Sequence, residues 1–233
     1  MLLQKERELV VEYGKKMSSS GLSKGTSGNI SIYNRKEQLM AISPSGIGYF
    51  ETMPEDVVIM DLHGNIVEGD KKPSSEWGLH TVFYLNKPDV EAVVHTHSTF
   101  CTTFACLNQP IRALHYVIGG AGTATVPCAS YRTFGTPELA EAAIKACGKG
   151  KAVLLANHGL LTCGPNIGKA FGLAVNMEFC AEMQFRAMCV GDPVILSDGE
   201  MENVMERFQS YGQPKKAGRV KKQIVIDPHR RKR

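Results

Sequence analysis

The 233-residue chain has no apolar run approaching the roughly 18 residues a membrane-spanning helix needs, so a membrane partner is not expected. It has no Cys-x-x-Cys pair, and seven cysteines cannot all pair, which argues against a disulfide framework and fits a reducing cytoplasm. Cys101, Cys106, Cys128, Cys147, Cys163, Cys180 and Cys189 sit mostly in apolar surroundings, where packing is the expected role. A Gly-x-x-x-x-Gly-Lys-Ser/Thr loop is absent, which argues against a nucleoside triphosphate. The opening "MLLQKERELVVEYGKK" is too charged for a secretory leader and reads as an amphipathic helix. No internal repeat or linker interrupts the chain. From Ala92 to Pro137 there is no Asp or Glu at all.

Charge is distributed unevenly. Of 27 Lys/Arg and 23 Asp/Glu, nine basic residues and one acid lie after Gln213, which leaves 18 against 22 in the body. The net +4 therefore hides a body at −4, and no nucleic-acid partner is expected for the folded part. The sequence divides into a domain over residues 1–213 and a basic tail over 214–233. The tail is expected to be solvated, its "QIVI" being either an added edge strand or part of a disordered arm.

Along the body, hydrophobic periods alternate between helix and strand. A first helix ends at the Gly/Ser-rich "SSSGLSKGTSGN". "ISIYNRKEQLMAI" and "VVIMDLHGNIVEG" read as hairpins. A helix closed by Pro88, a strand ending in histidines, a helix over Ser98–Leu107, a strand near Ala124–Cys128, a helix over Pro137–Cys147 and the strand "KAVLLA" follow. The last element is a helix from Ile167 to Val190, with Ala170, Leu173, Ala174, Met177, Cys180, Ala181 and Met188 on one core-facing stripe. With 43% hydrophobic residues, this pattern predicts an α/β fold of α+β type, a central, mainly antiparallel sheet flanked by helices.

"VEAVVHTHST", Val90–Thr99, carries the first chemical signal. In a strand His95 and His97 point to one face and present two imidazoles together, as zinc ligands do. A polar pair on a solvated edge strand would look the same. His158 follows a second apolar strand and precedes Gly159, which frees the backbone to turn, and it completes a three-ligand set. Glu76, in "KPSSEWGLH", is the nearest acid. If Ser74 or Ser75 caps the following helix, the third helical position is Trp77 or Gly78, so Glu76 is not the reciprocal capping residue. It serves either the helix dipole or a metal site. "GTSGN" and "SPSG" offer hydroxyls and open N–H groups for an anion, a sugar-sized phosphate being the better fit.

"GTSGNIS", "ISPSGIGY", "KPSSEW", "AVVHTHS", "LNQPIRALHYVIGGAG", "VPCASYRTFGTPELA" and "NHGLL", in order from Glu6 to Gly212, resemble the class II sugar-phosphate aldolase and epimerase superfamily, most of all its L-fuculose-1-phosphate aldolase branch. The resemblance implies a nine-stranded sheet of the aldolase and adducin-head type, in a homotetramer with active sites at subunit interfaces. It implies one Zn2+ per subunit on His95, His97 and His158 with Glu76 beside it, and Glu76 as catalytic acid–base. Asn29, Ser45, Gly46, Ser74 and Ser75 fall where the family binds phosphate. Tyr116 matches a proton donor offered by a neighbouring subunit, and Phe134, Phe208 and Tyr211 border the aldehyde pocket. Asn157 stands where relatives can carry a bulkier residue. The implied reaction is retro-aldol cleavage of L-fuculose 1-phosphate, or a related ketose 1-phosphate, to dihydroxyacetone phosphate and L-lactaldehyde. Two alternatives are an L-ribulose-5-phosphate 4-epimerase and a non-catalytic adducin-like scaffold. The epimerases carry an aspartate after the paired serines and a second acid after His-Thr-His; here Glu76 and the acid-free stretch from Ala92 to Pro137 favour the aldolase.

Overall fold

In the computed structural model, which describes residues 1–210, the apolar stretches pair into a single sheet with both faces covered. The elements in chain order are α1 (Gln4–Ser19), β1 (Asn29–Asn34), β2 (Leu39–Ile42), β3 (Val58–Met60), β4 (Ile66–Glu68), α2 (Trp77–Asn86), β5 (Ala92–Thr96), α3 (Thr99–Cys106), β6 (Cys128–Ala129), α4 (Pro137–Cys147), β7 (Ala152–Leu155), β8 (Gly159–Gly164), α5 (Ile167–Val190) and α6 (Asp198–Ser210). The strand order is β4-β3-β2-β1-β5-β8-β7-β6, antiparallel except for the parallel pair β6–β7. The predicted class therefore holds.

Alternation along the strands builds two cores. Ile30, Ile32, Ala92, Val94, Leu154 and Leu160 pack with α1, α3 and α5 on one face, while Tyr33, Val93, Val153, Leu155 and Leu161 pack with α2 and α4 on the other. Burial of both faces explains why "AVV" and "AVLL" read as continuous apolar runs. His95 shares Val93's side of β5, so it faces the α2 layer. The register of β5 against β1 and β8 sets His95 opposite Asn29 and opposite Leu161. Polar groups thus enter the sheet centre where two polar-tipped strands meet.

Several expectations change. Eight strands, not the nine implied by resemblance, form among the described residues. Near Ala124–Cys128 the ladder reduces to one bridge, Ile111–Val126, plus the two-residue β6. Pro110 and Pro127 flank that bridge and have no N–H to extend it. β8 was not anticipated, because "LLTCG" follows its partner after only a tight turn. Nor was α6, although Ser197 and Glu200 form a reciprocal cap: Glu200 donates its N–H to Ser197 Oγ at 3.3 Å and its carboxylate accepts the Ser197 N–H at 2.9 Å. Met201 anchors α6 in the core. Cys101, Cys147, Cys163 and Cys180 are buried, as packing residues should be. No helix among the described residues is long and apolar enough to cross a membrane. The predicted tail, 214–233, lies outside the described residues.

Because Met201 and Val204 close the core from α6, a chain ending at Gln213 is expected to unfold at the same temperature as the full chain. Calorimetry on both checks this; a midpoint lowered by several degrees would make the tail part of the folded unit.

Candidate metal centre and substrate cleft

Three imidazoles converge beside the sheet. His95 Nε2 lies 3.1 Å from His97 Nε2 and 3.2 Å from His158 Nε2, and the three rings sit edge to face with interplanar angles of 71° to 75°. Nitrogens on a tetrahedral zinc, each about 2.0–2.1 Å from the metal, are about 3.3 Å apart. His97 lies just past the end of β5, but it still points with His95. His95 donates Nδ1–H to the Leu160 carbonyl at 3.0 Å, which leaves the Nε2 lone pair for a cation.

Glu76 closes the cluster. Its Oε2 is 3.3 Å from His95 Nε2 and its Oε1 is 3.5 Å from His158 Nε2. Oε1 is buried and without a hydrogen-bond partner, while Oε2 accepts from Asn29 Nδ2 at 2.9 Å. A buried carboxylate oxygen left unpartnered among three inward-facing nitrogens is what a divalent cation would satisfy. The donor set therefore fits zinc.

The helix start differs from the expectation that a serine caps it. Glu76 itself occupies the cap position of α2 without a side-chain cap bond, and Ser74 Oγ accepts the Glu76 N–H at 3.3 Å. The side chain is thereby freed to face the histidines. The turn before His158 differs too. Asn157, with φ 54°, takes the left-handed conformation that asparagine tolerates. Gly159 is needed for closeness instead: a Cβ there would strike the Thr96 carbonyl and come within 3.1 Å of the His97 ring.

Burial sets the charge states. It pushes the His95 pKa down to about 3, against the opposing pull of Glu76, and lowers His97 and His158 as well. For Glu76 burial acts upward, but His95, His158 and the Asn29 amide outweigh it and hold the carboxyl below its ordinary value. At neutral pH the centre is three neutral imidazoles and one carboxylate, the forms in which these side chains bind metal.

A cleft of about 370 Å3 opens from this centre. Ser45, Gly46, Ser74 and Ser75 line it, brought together because Ser45 donates its N–H to the Lys72 carbonyl and Ser74 to that of Ser43. Phe134 also lines it, with Tyr131 and Arg132, two residues not singled out in the sequence although they stand in "SYRTF". Asn29 does not line the cleft: its side chain is buried between Glu76 and His80. Tyr116 is also outside it. It is 54% exposed and stacks on His115 and Phe208, with centroids 4.8 and 6.4 Å away. The single chain thus brings His95, His97, His158, Glu76, Phe134 and the Ser/Gly wall together and sets Tyr116 and Phe208 apart. Tyr211 lies outside the described residues.

The profile of the Class II Aldolase and Adducin N-terminal domain matches residues 8–185. The 5-deoxy-D-ribulose 1-phosphate aldolase of Bacillus thuringiensis serovar kurstaki is 52% identical over 91% of this chain and all of that protein. The L-fuculose phosphate aldolase of Escherichia coli is 43% identical over 84% of this chain and 90% of its own length. A solved structure of an L-fuculose 1-phosphate aldolase superposes with a TM-score of 0.87 at 44% identity, covering 90% of this chain and 98% of that one.

Two measurements check the centre. His95→Ala or His158→Ala is expected to lose stoichiometric zinc by elemental analysis, because two imidazoles remain where three were. Metal-free protein should also destabilise in mild acid. The folded pKa values of His95 and His80, about 3 and about 4, lie below the unfolded value of about 6.5, so the unfolded chain takes up protons first as pH falls. Each contributes about 1.4 kcal/mol per pH unit below that point, and denaturant unfolding should show a loss of about 4 kcal/mol between pH 7 and pH 5.

Proposed function

This chain belongs to the class II aldolase and adducin N-terminal domain family, and we propose that within it the chain cleaves a deoxyketose 1-phosphate ending in a methyl group. The products are dihydroxyacetone phosphate and a short aldehyde. That it is a class II aldolase follows from the family and the named relatives. The scaffold alternative fails on that ground. L-Fuculose 1-phosphate, giving L-lactaldehyde, remains a substrate candidate. The relative at 52% identity adds 5-deoxy-D-ribulose 1-phosphate, whose cleavage between C3 and C4 gives acetaldehyde. The observation that carries the reading is a buried carboxylate among three convergent imidazoles, of which Glu76, His97 and His158 line a cleft that also holds a hydroxyl- and glycine-rich anion cradle.

His95, His97 and His158 would hold one zinc ion per subunit, with Glu76 beside it, and when bound that ion would supply positive charge against the negative charge that builds on the substrate oxygens. Ser45, Gly46, Ser74 and Ser75 bind the phosphate through hydroxyl and backbone donors, and Asn29 supports the same end of the site from behind Glu76. With the phosphate fixed, the ketose carbons reach Glu76. In cleavage the C4 hydroxyl loses its proton, the C3–C4 bond breaks, and its electron pair is received at the C2 carbonyl. The Glu76 carboxylate takes up a proton from solvent, matching the one released at the C4 oxygen, and delivers it to C3. Tyr116 exchanges the proton at the C4 oxygen, reaching the cleft of a neighbouring copy in a homotetramer, since it lies outside the cleft of its own chain. Phe134, with Phe208 of that copy, borders the methyl end. The unpaired thiols of the described residues suit a reducing cytoplasm.

An assay of dihydroxyacetone phosphate release over a panel of ketose phosphates tests this. Turnover is expected with both deoxyketose 1-phosphates and not with L-ribulose 5-phosphate; release from no ketose 1-phosphate would sink the proposal. Glu76→Gln should lower cleavage and deuterium exchange into dihydroxyacetone phosphate together, by about 10²–10⁴. Tyr116→Phe should largely spare exchange and lower cleavage. Equal losses in the tyrosine variant would deny it the proton at C4.

A further inference from the structure

Behind Glu76 a line of polar side chains runs through the packed layer between α2 and β1. Glu76, His80 and Tyr84 follow one another at four-residue intervals on one face of α2, and Asn29 and Ser31 at a two-residue interval on one face of β1. The two rows interdigitate. Asn29 Nδ2 donates to Glu76 Oε2 at 2.9 Å, His80 Nε2 meets Asn29 Oδ1 at 2.5 Å, and Ser31 Oγ lies 2.6 Å from both His80 Nδ1 and Tyr84 Oη. All five side chains are buried.

Each direction of donation follows from the last. An ionised Glu76 only accepts, so Asn29 turns its NH2 toward it; the reverse orientation would set the amide oxygen against a carboxylate. The Asn29 oxygen then needs a donor, which only a protonated His80 Nε2 supplies. His80 is fully buried and its two ring nitrogens meet only the neutral Asn29 and Ser31, so the ring is neutral and its Nδ1 accepts from Ser31. Ser31 Oγ in turn accepts from Tyr84. Every donor points toward the carboxylate.

We propose that His80 is a positioning residue for the aldol reaction, the centre of a buried relay Tyr84–Ser31–His80–Asn29–Glu76 that fixes the carboxylate and leaves Oε1 for the reacting centre. The inference rests on the acid–base reading of Glu76. Oε2 accepts from Asn29 and Oε1 has no hydrogen-bond partner, so the relay selects which oxygen is left for the metal centre and the substrate. Fixing both the orientation and the free oxygen removes reorganisation at the moment of proton transfer. A chain present only to satisfy buried polar groups would affect stability and leave the catalytic step alone.

The test uses the full, zinc-loaded chain. Nitrogen-15 spectra at pH 7 are expected to show His80 as the neutral Nε2–H tautomer, with or without zinc. An Nδ1–H tautomer or an imidazolium would overturn the relay without any variant. His80→Leu should lower kcat by about 10- to 100-fold, the scale lost when a residue orienting a site group is removed. KM and zinc stoichiometry should change by less than about twofold. His80→Gln, whose amide can again donate to Asn29, should recover most of kcat. Equal kcat in the two variants, or a change confined to KM or melting temperature, would overturn the proposal. Glu76→Gln separates the two readings: an inactive Glu76→Gln beside a fully active His80→Leu defeats the relay alone, whereas an active Glu76→Gln defeats the acid–base reading on which it rests.

Discussion

The tertiary arrangement turns on one buried hydrogen bond, from His95 Nδ1 to the Leu160 carbonyl across the β5–β8 pair. It fixes the tautomer and ring plane of a fully buried imidazole, and it points Nε2 at the place where His97, His158 and Glu76 converge. A ring free to choose its tautomer would also present Nε2–H, which cannot bind a cation. The sheet's central register thus does the work that a flexible loop could not.

Burying these groups is costly, and the surrounding structure shows how the cost is met. Glu76 carries a charge into a layer otherwise filled by Leu79, Phe83, Val93 and Leu161. Asn29 answers one carboxylate oxygen, and His80, Ser31 and Tyr84 satisfy Asn29 in turn. Close approach is obtained by removing side chains where rings must pass. Gly159 fits beneath the His95 and His97 rings, and a Cβ at Gly28 would come within 2.6 Å of the His95 carbonyl. Polar pairing and steric economy serve the same point in space.

The cleft is lined by small polar residues, by the titratable Glu76, His97 and His158, and by the aromatic and basic Tyr131, Arg132 and Phe134. That lining matches a substrate with an anion at one end, a carbonyl in the middle and an apolar terminus. The Tyr116–Phe208 pair lies on another surface of the same chain. In our proposal, assembly supplies the aldehyde end of the pocket, so chemistry at the phosphate and carbonyl end is encoded within one subunit and selectivity for the aldehyde between two.

Much of this was legible in the residues. The histidine spacing, the apolar runs and the bounds of α4 and α5 follow from local periodicity, which chain geometry enforces within a few residues. The motif order also pointed to the family. Other features were legible but unread: Ser197 and Glu200 announce α6, and the Glu-x-x-x-His-x-x-x-Tyr row of α2 with the Asn-x-Ser row of β1 spells out two polar faces. Only the tertiary structure decided the rest. That Asn157 makes the turn while Gly159 provides clearance, that Glu76 begins α2 instead of following its cap, that Asn29 serves the carboxylate, and that Tyr116 stands apart from its own cleft all depend on which surfaces meet across the sheet. A linear pattern states which face a side chain occupies; the distance to the opposing face, set by packing among residues dozens of positions away, determines what that side chain touches.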